Sequence, residues 1–155
     1  MLSIMKYCAV LYSGQTEKTK SLFHVSVMNI YRYILNDQTF RVSCKEISKR
    51  IGLDLPREIL AKCSVLFVHR IHKSYKPRCL FRMFRYPIRS LKTCHPTIND
   101  LPRTQRARRG ALTTSIELFK WVDANIISLQ HNEFKKIVNC RKFQVLSERE
   151  QYNWN

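Results

Sequence analysis

Apolar residues recur at helical spacing along most of this chain, and one stretch is apolar almost all the way round. In residues 56–75, PREILAKCSVLFVHRIHKSY, the side chains of Ile59, Leu60, Cys63, Leu66, Phe67 and Ile71 share one face. Ala61, Val65 and Val68 cover much of the other, leaving a narrow polar stripe of Lys62, His69 and Lys73. A helix with so little polar surface belongs in the interior. Pro56 suits a first helical turn, Asp54 is placed to cap it, and Glu58 complements the positive end of the dipole. Pro77 closes the pattern. The spacing predicts a central helix onto which the other elements pack.

The flanking segments read as amphipathic helices. Residues 17–35 place Leu22, Phe23, Val27, Ile30, Tyr31, Tyr33 and Ile34 on an apolar face, with Lys18, Asn29 and Arg32 outward. Ser43 and Glu46 have capping-box spacing, Val42 and Ile47 form a hydrophobic staple, and Gly52 can close in the left-handed conformation, so a short helix is predicted over 44–51. After Pro77, Arg78, Arg82 and Arg85 fall on one helical face, with Leu80, Met83 and Phe84 opposite. Pro87 and two later prolines predict an irregular arm over about 86–110. Ser115 is read as the cap of a helix over 115–122, and Asn132 as the cap of a last helix, 133–143, with Phe134, Ile137 and Val138 inward. Residues 1–12 are apolar but short, and periodicity does not decide between helix and strand.

Charge changes this picture from a generic helical domain to a basic one. The 155 residues carry 28 Lys+Arg against 11 Asp+Glu, a formal +17. That excess points to a polyanion partner, nucleic acid before an anionic membrane surface. The candidate phosphate contacts are Arg78, Arg82, Arg85, Arg89, Lys92, Arg103, Arg106, Arg108 and Arg109. Phe81, Phe84 and Tyr86 are interleaved with the first of them, and aromatic faces can stack on unpaired bases.

Other chemistries find little to build on. Asp37, Asp54, Asp100 and Asp123 are scattered, with no paired carboxylates for a two-metal polymerase or nuclease. Gly14, Gly52 and Gly110 make no phosphate-cradling loop. His69, His72, Cys79, Cys94 and His95 fit no zinc spacing, and adjacent Cys94 and His95 rarely face each other as a nucleophile pair requires. No pair of the six cysteines has C-x-x-C spacing, which suits a reducing, intracellular setting, nuclear or cytoplasmic. Residues 1–14 do not read as a signal peptide, and the uncharged run 21–31 is far short of the ~20 residues that span a bilayer.

A family resemblance follows from the order of several short motifs. Lys6-Tyr7-Cys8 followed by Val10-Leu11-Tyr12-Ser13-Gly14 resembles the "Leu-x-Tyr-Cys, apolar, Trp/Tyr-Gly" run downstream of the catalytic core in non-LTR (LINE-type) retrotransposon reverse transcriptases. VMNIYRYI (27–34) is similar to that family's "Gln-x-Lys-x-x-Arg-x-Ile" helix, keeping Arg32 and Ile34 but not the Gln. CKEISKRIGL (44–53) resembles its lysine-rich element. FVHRIHKSYKPRCL, within 66–80, is similar to its "Phe-x-x-Lys…Pro-x-x-Leu". Arg89-Ser90-Leu91, LPRTQR (101–106) and Phe134-Lys135-Lys136 resemble its later joints and closing helix. WVDANI (121–126) stands where the family has "Trp-Asn-x-Leu-Pro", and no Tyr-x-Asp-Asp occurs. The resemblance implies the thumb-like, post-catalytic part of such a polymerase, without its catalytic half.

The expectation is therefore a mainly α single domain over 1–143, about five helices around a central buried one, with a basic arm and a polar tail over 144–155. Its expected role is non-catalytic contact with an RNA or DNA backbone, as a truncated or decayed retroelement product. No cofactor, metal, membrane or small-molecule substrate is expected. The alternative is a helical protein-interaction module.

Overall fold

The computed structural model describes residues 9–36, 41–85, 97–98 and 110–140, and these are mainly α-helical. Residues 9–13 form a helical turn ahead of α1, Glu17–Leu35. Thr16 starts α1 by accepting the Thr19 N–H at 3.4 Å, and Asn36 ends it in the left-handed conformation, φ 54°. In α2, Cys44–Ile51, Ser43 Oγ accepts the Glu46 N–H at 3.2 Å and Gly52 closes the helix at φ 78°. The Glu46 carboxylate is engaged by Arg50 at 2.5 Å. Val42 and Ile47 enter the same apolar cluster, as a staple should.

The central helix is α3, Pro56–Ser74, with Pro56 in its first turn. Its cap differs from expectation. Leu55 occupies the cap position and donates its N–H to Glu58 Oε2 at 3.0 Å. Asp54 instead reaches sideways: Oδ1 accepts from Lys62 Nζ at 2.9 Å, and the backbone carbonyl accepts from the Tyr31 hydroxyl at 2.8 Å. A single turn, α4, Arg78–Phe81, leads into β1, Phe84–Arg85, which pairs antiparallel with β2, Thr97–Ile98, placing Phe84 opposite Ile98. Then come α5, Ala111–Phe119, α6, Ala124–Ser128, and α7, His131–Asn139.

Two apolar clusters meet at α3. Ala9, Phe23, Val27, Met28, Tyr31 and Ile47 pack with Ile59 and Leu60 from its first turns. Ala61, Val65, Val68 and Ile71 pack with Phe84, Ile116, Phe119, Val122, Ile127, Phe134 and Val138. Because α3 is covered by α1 on one side and by α5 and α7 on another, it is apolar nearly all round. Each fully buried Val or Ile side chain on it contributes roughly 1.5–3 kcal/mol.

Several expectations are corrected. Lys62 and His69 do not form an exposed stripe: they are 5% and 0% accessible. Lys62 is tolerated there because Asp54 neutralises it and the Cys140 carbonyl accepts at 3.3 Å. The sides of α3 are rotated too, with Val65 and Val68 fully enclosed and Leu66 and Phe67 half-buried. On α1, Met28 is buried while Leu22, Tyr33 and Ile34 are exposed. Ser115 lies inside α5, donating to the Ala111 carbonyl at 2.6 Å, because the helix begins a turn earlier at Gly110. Asn132 lies inside α7, whose cap is Gln130, and α6, begun by Asp123, was not anticipated.

Candidate nucleic-acid interface

Arg78, Arg82 and Arg85 do not share one helical face. Arg78 is on α4, Arg82 is in the turn after it, and Arg85 is in β1. Helix geometry is lost because Phe84 turns into the core, 5% accessible, and pairs through its backbone with β2. The interleaved aromatics change role accordingly. Phe84 is buried, and Phe81 is half-buried, its ring 6.4 Å from that of Phe84. Arg89, Lys92, Arg103, Arg106, Arg108 and Arg109, Tyr86, Cys94 and His95, and the tail lie outside the described residues.

The structure instead gathers cations that are distant in sequence. Arg70, near the C-terminal end of α3, and Lys135, on α7, both act on His131. Burial, then the charges of Arg70 and Lys135, hold the His131 imidazole below its ordinary range. Lys73 reaches across to donate to the Ser128 carbonyl at 2.8 Å. Lys76, Arg78 and Arg82 continue the same end of α3 and are exposed. Among the described residues, the carboxylates of Glu17, Glu46, Asp54 and Glu117 pair with Lys20, Arg50, Lys62 and Lys120. None pairs with Arg70, Lys76, Arg78, Lys135 or Lys136. Exposed cations without local countercharge retain their full attraction for a polyanion.

Beneath this surface lies a histidine pair, His69 fully buried and His131 half-buried. The His69 ring stacks on Phe134 with centroids 3.7 Å apart and planes 4° apart. His69 Nε2–H donates to the Ile127 carbonyl at 3.3 Å, which leaves its Nδ1 as the acceptor for His131 Nδ1–H at 3.1 Å. Burial, then the His131 charge, lowers the His69 pKa to about 4; Lys73 and His72 act in the same direction, against the Ile127 bond. The pair joins α3, α6 and α7 with neutral imidazoles and is a structural joint. His72 is also buried and its pKa lowered, by burial and then by Lys73.

Among the described residues, no group of three or more His, Cys, Asp or Glu is placed to hold a metal ion. The thiol–imidazole approach that the fold does create is Cys44 Sγ to His24 Nε2, 3.8 Å, between α2 and α1. It was not legible in the sequence, since the two residues are twenty positions apart. Burial, then Arg32 and Arg57, lower the His24 pKa. No described helix is long and apolar enough to cross a membrane.

Fold and surface together define a mainly α protein with a concentrated basic end. No protein-family model matches the sequence, and neither a curated protein nor a solved structure matches it.

Proposed function

We propose that this chain is a non-catalytic nucleic-acid-contacting protein that engages the phosphate backbone through the basic end formed by α3, α4 and α7. The observation that carries this reading is that Arg70 and Lys135 converge on His131 while Lys76 and Arg78 follow the end of α3, all four exposed and outside every ion pair among the described residues. The formal +17 of the whole chain acts in the same sense. Origin from the post-catalytic part of a LINE-type reverse transcriptase is proposed on the order of sequence motifs, with which a helical architecture is compatible.

The test is a salt titration of binding to single-stranded RNA. The logarithm of the binding constant should fall linearly with the logarithm of salt, by roughly 0.7 per phosphate contacted. Changing Arg70, Arg78 and Lys135 together to Gln should flatten that slope by roughly 2 if each meets one phosphate. Lys49→Gln on α2 should leave it unchanged. Circular dichroism checks that the helices persist, as Gln is a good helix former. Equal slopes for wild type and triple variant would remove the basic end from the binding surface.

A second reading is favoured by one observation. On α1, Leu22, Val25, Tyr33 and Ile34 are exposed, which suits a helical protein-interaction module. Binding of a protein partner through that face would survive high salt, whereas phosphate contact would not.

A further inference from the structure

Tyr75 occupies a position that its own backbone disfavours. It ends α3 at φ 56°, in the left-handed region that Gly or Asn usually fills at a helix end and where a side chain costs about 1 kcal/mol or more. Burial does not explain the choice, because Tyr75 is 58% accessible. Its ring meets Phe81 nearly perpendicular, 80° between planes, with centroids 4.8 Å apart. Phe81 packs in turn against the core. The tyrosine ring is thus held in one orientation while more than half of the residue stays in solvent. Lys76, Arg78 and Arg82 follow it directly, all exposed.

Two other exposed aromatics lack this setting. Trp121 follows Lys120, which is already paired with Glu117 at 2.8 Å, and Asp123 lies two residues on. Tyr33 lies on α1 among the exposed apolar residues Leu22, Val25 and Ile34. Only at Tyr75, among the described residues, does an exposed ring meet a neighbouring aromatic and precede cations outside any ion pair, Lys76 and Arg78.

We propose that Tyr75 is a stacking platform for an unpaired nucleobase, so that the basic end of α3 takes single-stranded polynucleotide in preference to duplex. Phosphates meet Lys76 and Arg78, and the base attached between them lies on the ring. In a duplex each base is already stacked on its neighbours, and only the outer faces of the two terminal pairs are free. Stacking of this kind is tolerant of sequence, because every base has a π-face. This inference rests on the nucleic-acid reading above and adds to it the form of the ligand.

The experiment uses the full chain with a labelled short oligouridine and a blunt RNA duplex of the same length, read by fluorescence anisotropy across a salt series. Tyr75→Gly is the informative variant, because glycine suits the left-handed position and the fold is retained. It should weaken oligouridine binding by roughly 5- to 150-fold, from the ~1–3 kcal/mol of one base–aromatic stack. Duplex affinity and the salt slope should stay as in wild type, since no phosphate contact is lost. Tyr75→Trp should keep or tighten single-strand binding. If Tyr75→Gly binds oligouridine as wild type does, or loses both ligands equally, the stacking proposal is overturned. Should wild type bind neither RNA in a salt-dependent way, the nucleic-acid reading itself falls and this inference with it. Salt-dependent binding that is indifferent to Tyr75 removes the stacking alone.

Discussion

Asp54 shows how much one partly exposed residue can hold. Its carbonyl takes the Tyr31 hydroxyl from α1, and its carboxylate takes the Lys62 ammonium from α3. Tyr31 is fully buried, and burial, then Asp54 and Glu58, push its pKa up to about 12, so the phenol stays a donor throughout the ordinary pH range. Among the described residues, Asp54 supplies the one carboxylate paired with Lys62. Asp54→Asn should therefore destabilise by about 3 kcal/mol, the lower end for breaking a buried pair, because Asp54 is itself about a quarter exposed. Lys62→Met should cost less, since the buried ammonium leaves together with its desolvation cost and the Asp54 carboxylate left behind is partly exposed to water. Urea denaturation of the two variants checks this. Equal losses would mean that the ammonium's packing, not its charge, is what Asp54 secures.

At the scale of elements, two glycines do different things. Gly52 ends α2 at φ 78°, a local requirement that any Cβ strains. Gly14 follows the 9–13 turn where the chain runs against the start of α5. A Cβ there would lie 2.0 Å from the Ala111 nitrogen and 2.6 Å from the Gly110 carbonyl carbon, both backbone atoms that cannot rotate away. Gly52→Ala should cost about 1 kcal/mol. Gly14→Ala should cost more, roughly 1–3 kcal/mol, because a backbone segment must move. The order of the two urea midpoints is the measurement, and a milder effect at Gly14 would mean that α5 can withdraw from the turn at little cost.

For the molecule as a whole, the histidines whose pKa the fold lowers set the response to acid. His69 is neutral in the fold down to about pH 4, while in the unfolded chain it takes up a proton near its ordinary 6.5. Between those values the unfolded state binds more protons, so stability falls as pH falls through the window. The loss attributable to His69 approaches about 3 kcal/mol, from about 1.4 kcal/mol per unit. His24, His72 and His131 shift in the same direction and add to it. Thermal melts across this range should show a steep acid limb. His69→Phe, which keeps an aromatic ring on Phe134, should lower the baseline and flatten the limb. An unchanged acid slope in that variant would place the acid sensitivity in the other three.

The sequence by itself determined the mainly α class, the bounds of the helices 17–35 and 44–51, and the central position of the helix after Pro56. These rest on local rules: a capping serine, a closing glycine, a proline in the first turn, and an apolar period that needs no partner to be read. Tertiary structure decided the rest. Arg78, Arg82 and Arg85 lost their helical row because Phe84 gains more by entering the core than by continuing a helix. Lys62 and His69 went inside because partners eight and more than fifty residues away, Asp54, Ile127 and His131, satisfy their polar atoms. Arg70 and Lys135 act on the same imidazole, His131, only when α7 packs on α3. Tyr75 passed unnoticed because exposure and backbone conformation, which single it out, are properties of the folded chain and leave no periodic trace. Local chemistry marks the ends of α1 and α2, where a cap and a left-handed closing residue coincide; where α5 and α7 begin, and which helix faces turn inward, depends on partners that only folding supplies.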